Sequence, residues 1–85
     1  MDHSIRIKRI RIIGTRRGSK ELDLIFGRFI DSSIDKLDSN LLSQLEGFLE
    51  LNDSDLYDYI FGVRIPPEKF RPIFSEILRT VTPKI

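Results

Sequence analysis

Eighty-five residues allow one domain with a single small core, marginally stable and with much of its surface wet. Apolar residues at 40% and charged residues at 32% are a soluble globular composition, too apolar for a disordered chain, and a formal net charge of +1 singles out no partner. The absence of cysteine excludes disulfides, thiolate chemistry and cysteine-based zinc sites, so packing must hold the fold.

No apolar run is long enough for a membrane span, and the start lacks the apolar stretch of a signal peptide. That start is arginine-rich, as transit peptides are, but it runs directly into patterned sequence and is read as part of the fold. A cytoplasmic protein without membrane contact is the expectation. Charge is sorted along the chain. Arg6, Lys8, Arg9, Arg11, Arg16, Arg17 and Lys20 are opposed only by Asp2, whereas from Asp31 to Asp58 the acids face only Lys36. The near-neutral sum therefore hides a strong sequence dipole.

Residues 5–13 carry two patterns. Ile5, Ile7, Ile10, Ile12 and Ile13 alternate partly like a strand, and β-branching favours one. Ile5, Ile12 and Ile13 also fit a helical stripe interrupted by Lys8 and Arg9. Gly14 is placed to end or loosen this element.

The next segment reads as a helix with Leu22, Ile25, Phe26, Phe29, Ile30 and Ile34 on its buried face. Glu21 and Asp23 fall in its first turn, where carboxylates suit the macrodipole. Gly27 is expected to mark close packing against a neighbour. Asp38 or Ser39 then caps a helix carrying Leu41, Leu42, Leu45, Phe48 and Leu49. Asp53 is placed to cap a short helix burying Leu56, Tyr57, Ile60 and Phe61, with Gly62 ending it. Pro66, Pro67 and Pro72 predict a turn near 67–70 and a helix from about Pro72 to Thr80. That helix would bury Phe70, Ile73, Phe74, Ile77 and Leu78, and Pro83 would end the fold. Helices joined by short loops make an all-α bundle, one domain over 1–85 with its core in about 5–80 and frayed termini.

Catalytic equipment is sparse. His3 is the one histidine and stands near the terminus, so the common triads and a histidine-rich metal site are out of reach. Asp53, Asp55 and Asp58 lack the glycine and closing glutamate of a calcium loop, and capping explains them more simply. Gly14 and Gly18 have no strand-to-helix phosphate-loop context. No catalytic residue, metal or cofactor is therefore expected, and the chain reads as a binding protein rather than an enzyme. The basic segment is a solvated face or a contact surface for nucleic acid or an acidic protein. Its arginines have no interleaved aromatic for single-strand stacking, and no helix-turn-helix signature is evident.

The segment Arg17-Gly18-Ser19-Lys20-Glu21 has a local reading and a functional one. Locally, Gly18 turns the chain or ends the first element in a left-handed conformation, and Glu21 serves the helix start. Functionally, a glycine lets a partner approach the backbone, an arginine fork can grip a carboxylate, and a glutamate offers the opposite charge.

Arg17-Gly18-x-x-Glu21, then Leu22-Asp23-Leu24 and Gly27-Arg28-Phe29, resembles the signature of the SdhE family, the FAD assembly factors of succinate dehydrogenase. Leu49 to Tyr59, a leucine-rich helix entering Asp53-x-Asp55-Leu56-Tyr57, is similar to that family's second block. The resemblance implies a five-helix bundle, and with it a helix over 5–13. It implies binding to the flavoprotein subunit of succinate dehydrogenase, or of fumarate reductase, and promotion of covalent FAD attachment to a histidine of that subunit. It places partner contact at Arg17, Gly18 and Glu21, with Arg16, Ser19 and Asp23 beside them. Gly14-Thr15-Arg16 departs from the aromatic or histidine residues many members carry before Arg-Gly, and Ser19 stands where methionine or threonine is frequent. On this reading the factor acts as a monomer in a bacterial cytoplasm, with the mitochondrial matrix the less favoured place. A basic-faced nucleic-acid-binding module and a generic helical adaptor remain the rival readings.

Overall fold

Apolar residues spaced by three and four dictate helices, and a computed structural model shows five of them among its described residues, 3–15 and 17–81. They are α1 (His3–Thr15), α2 (Lys20–Ser33), α3 (Ser39–Leu49), α4 (Asp53–Ile60) and α5 (Arg71–Val81). Short 3-10 turns, Ile34–Lys36 and Glu68–Phe70, follow α2 and precede α5. The strand pattern in 5–13 is overruled. Among the described residues of α1, Ile10 is the one fully buried apolar side chain, with Ile7 and Ile13 packed beside it, while Ile5 and Ile12 face out.

Helix starts follow capping chemistry. Ser19, Asp38 and Asn52 each turn a side-chain oxygen to a free N–H of the first turn, at Leu22, Leu41 and Asp55. The cap of α4 is thus Asn52 rather than Asp53, which leaves the Asp53 carboxylate available elsewhere. Gly62, at φ 79°, closes α4 as expected. The last helix starts one residue ahead of Pro72, where a missing N–H costs nothing.

Phe26, Phe29, Phe48, Leu22, Ile30, Leu45 and Ile73 are among the fully buried side chains of a single core. Phe48 is its hub, with the rings of Phe26, Phe70 and Phe74 5.5–6.4 Å away. In α4 the buried pair is Leu56 and Tyr59, whereas Tyr57 and Phe61 point outward and stack on each other at 4.4 Å. That corrects the expectation for Tyr57 and Phe61, whereas Leu56 is buried as expected and Ile60 packs half-buried against the core. A helix this short buries a narrow stripe, Leu56, Tyr59 and Ile60, and Tyr57 and Phe61 fall outside it. Close packing sits at Gly14 rather than Gly27. A Cβ on Gly14 would stand 2.6 Å from Ile30 Cδ1, whereas one on Gly27 would meet nothing nearer than 3.9 Å. Arg16, the stop at Pro83 and the expected fraying of the chain ends lie outside the described residues. No helix among those residues is long and apolar enough to cross a membrane.

Candidate functional site

Between α1 and α2 the chain turns through Arg17, Gly18 and Ser19, and this corner is built against residues far away in sequence. The Arg17 side chain is only 8% exposed. Its Nε and Nη2 donate to the Ile13 carbonyl at 3.1 and 2.6 Å. Nη2 also donates to the Leu49 carbonyl, and Nη1 to the Leu51 carbonyl and to Asp53 Oδ1 at 3.3 and 3.1 Å. Ile13 and Leu49 lie in the last turns of α1 and α3, whose carbonyls have no helical partner and carry the negative end of the dipole. One cation therefore closes two helix ends and the start of α4. The fork expected to grip a partner's carboxylate is engaged inside the fold.

Asp53 is the residue the pattern misses. Besides Arg17, it takes the Gly18 N–H on Oδ2 at 2.6 Å. A Cβ on Gly18 would stand 3.3 Å from that oxygen, so the close approach there is to the carboxylate. Gly18 does not adopt the left-handed conformation, which among described residues occurs only at Gly62. Asp53 and Gly18 are 35 residues apart, and the signal that could have paired them is their presence in the two blocks that carry the family resemblance. Asp23 ties the corner from the other side, accepting the Arg17 N–H at 2.8 Å.

Ser19, Lys20 and Glu21 lead outward from this frame. Ser19 caps α2 and donates its hydroxyl to Glu21 Oε2 at 3.0 Å. Glu21 is exposed, and its carboxyl is held below the ordinary 4.5, first by a backbone hydrogen bond at its own position and then by the Ser19 hydroxyl. It is thus an anion at neutral pH. The structure brings Arg17, Gly18, Ser19, Glu21 and Asp23 into one corner, with Gly18, Lys20 and Glu21 on its exposed side. Among the described residues no cluster of histidine, cysteine, aspartate or glutamate could hold a metal ion. Asp55 and Asp58, the rest of the acidic triplet, close on Arg64.

Residues 8–81 match the model of the Sdh5 family, described as the flavinator of succinate dehydrogenase. The chain belongs to this family. Its relatives include the FAD assembly factor SdhE of Acetobacter pasteurianus, 30% identical over 74 residues, covering 86% of this chain and 68% of that one. The FAD assembly factor SdhE of Legionella pneumophila (strain Lens) is 39% identical over 62 residues, 73% of this chain and 78% of that one. Succinate dehydrogenase assembly factor 2, mitochondrial, of Arabidopsis thaliana is 30% identical over 73 residues, which cover 84% of this chain but 39% of the plant protein. No solved structure matches significantly. The flavinator family thus spans nearly all of the bundle, including the corner and Asp53.

Proposed function

We propose that this chain binds the flavoprotein subunit of succinate dehydrogenase, or of fumarate reductase, and promotes covalent attachment of FAD without catalysing it. The observation that carries the reading is the match to the flavinator family over residues 8–81, which contains a corner fixed by Arg17 and Asp53. In this reading Arg17 and Asp23 position the corner, and Gly18, Ser19 and Glu21 meet the client, with Arg16 beside them. The nucleophilic histidine belongs to the client, as does the bound flavin. The factor acts by favouring one client conformation, and it can do so only to the extent that it binds that conformation better than the alternative. It works as a monomer in the bacterial cytoplasm, a setting supported by its bacterial relatives.

The experiment is co-expression with a succinate dehydrogenase flavoprotein subunit, followed by in-gel flavin fluorescence of the denatured subunit. Fluorescence should rise with the factor present and fall when Glu21→Gln replaces the wild type. Equal fluorescence with and without the factor would sink the reading.

A further inference from the structure

Among the described residues, four of the seven exposed large apolar side chains, Tyr57, Phe61, Val63 and Ile65, fall between residues 57 and 65. They follow the outer side of α4 and the loop after it. That loop is anchored, because Pro66 is buried, yet Ile65 just before it is 80% exposed. Beside it a groove of about 390 Å³ opens between the end of α4, the loop and α5. Ile60, Ile65, Pro66 and Phe74 give it apolar walls, and Arg64 and Arg71 line it with charge. Exposed apolar side chains gathered beside a groove mark interaction sites in small soluble proteins.

The two arginines differ. Arg64 is committed to Asp55 and Asp58 and lies over the Tyr59 ring, 5.2 Å from its centroid. Arg71 has no ion pair among the described residues and is exposed. The groove therefore combines apolar walls with one uncompensated cation. Its occupant should bring a large apolar side chain with a carboxylate close by. A second copy of this chain fits poorly. A two-fold contact would set the same surface against itself and bring Arg71 toward Arg71. The neighbouring acids Asp55, Asp58 and Glu76 already have arginine partners, and Glu68 does not line the groove.

We infer that this groove is a second docking point for the flavoprotein client, taking a segment in which a large apolar residue stands beside an acidic one. The inference rests on the proposed function. It is continuous with the corner, because Asp53 begins α4 and the groove lies at its other end. Eight residues of helix separate them by about 12 Å, with the exposed Tyr57–Phe61 stack between. One client surface can span both.

The test measures affinity of the full chain for the isolated flavoprotein subunit. The variants are Ile65→Asp, Arg71→Glu, Glu21→Gln and a control, Ile5→Asp, at an exposed position of α1. Ile65→Asp and Arg71→Glu should each weaken binding at least tenfold with unchanged circular dichroism, and Ile5→Asp should bind as wild type. If both groove variants bind within twofold of wild type while Glu21→Gln is weakened, the groove is overturned and the corner stands. Loss of a concentration-dependent dimer in Ile65→Asp, with client affinity intact, would make the occupant a second copy and also overturn the proposal. Wild-type chain that does not bind the subunit at all would instead overturn the proposed function.

Discussion

A guanidinium with 8% of its side chain exposed must have its donors satisfied inside the protein, and Arg17 spends them on three carbonyls and Asp53. Truncation would strand those acceptors and leave a partly buried carboxylate without its cation. Arg17→Ala should therefore destabilise the fold by about 2–4 kcal/mol. In a domain of this size that lowers the melting temperature by on the order of 10–20 °C, readable in a thermal melt. Arg17→Lys should recover little, because one ammonium cannot span the planar fork's acceptors on separate elements. Glu21 predicts the opposite separation. It is exposed, so Glu21→Gln should lower the melting temperature far less than Arg17→Ala while weakening client binding by about fivefold, the scale of an exposed charge. Its folded carboxyl titrates below 4.5. A depressed carboxylate keeps its contribution above the unfolded value and loses it only as pH falls through the folded one. The affinity advantage of wild type over Glu21→Gln should accordingly be full at neutral pH and be lost only as pH falls through the depressed carboxyl's own range, which paired binding curves at neutral and acid pH would show.

The elements differ in how openly the sequence displays them. In α2, α3 and α5 the apolar positions recur at helical spacing, and Phe26, Phe29, Phe48, Leu45, Ile73 and Ile77 occupy the core as their spacing requires. The first helix hides its nature because one fully buried side chain, Ile10, does the packing, and Lys8 and Arg9 interrupt the stripe. The corner was legible as a motif, while the inward role of Arg17 was not. Three of its four partners are backbone carbonyls, and those are set by topology rather than by residue type. The α1–α2 contact carries its own prediction. Gly14 is buried, and a methyl group there would press on Ile30 Cδ1 at 2.6 Å and touch Leu49 Cδ1 at 3.4 Å. Overpacking costs about 1–3 kcal/mol and improved helix propensity returns about 1 kcal/mol, so Gly14→Ala should destabilise by roughly 1 kcal/mol net. Ile30→Val removes the offending Cδ1. In a double-mutant cycle followed by urea denaturation, Gly14→Ala should cost less in the Ile30→Val background than in wild type. Additive costs would show that Ile30 is not what resists the methyl group.

At the scale of the molecule, the sequence dipole folds back on itself. Arg6 reaches Glu46 Oε1 through Nε and Nη2 at 2.9 and 2.7 Å, and Ser43 through Nη2 at 2.8 Å. Arg9 takes the other oxygen of Glu46 at 3.4 Å, and Arg11 pairs with Asp31. The basic helix α1 is thus laid against the acidic side of the bundle, and these pairs supplement the small apolar contact around Ile10. Nucleic-acid affinity needs several cations free to replace counterions at phosphates, and this arrangement leaves few on α1. Retardation of DNA or RNA should be absent even at low salt. Glu46 is the keystone because a single carboxylate serves both Arg6 and Arg9. Glu46→Gln keeps the shape and removes the charge, so it should cost about 1–2 kcal/mol, between the values for exposed ion pairs and for charged hydrogen bonds. Much of that loss should fall on α1, whose amides should exchange faster with solvent deuterium than those of α3, because its apolar contact alone holds it weakly. In wild type, α1 exchange should quicken as salt screens these pairs, and in Glu46→Gln that salt dependence should shrink to what the exposed Arg11–Asp31 pair contributes. Equal protection of α1 in the two proteins at low salt would mean that Ile10 and its neighbours suffice, and that the basic helix owes its place to packing rather than to charge.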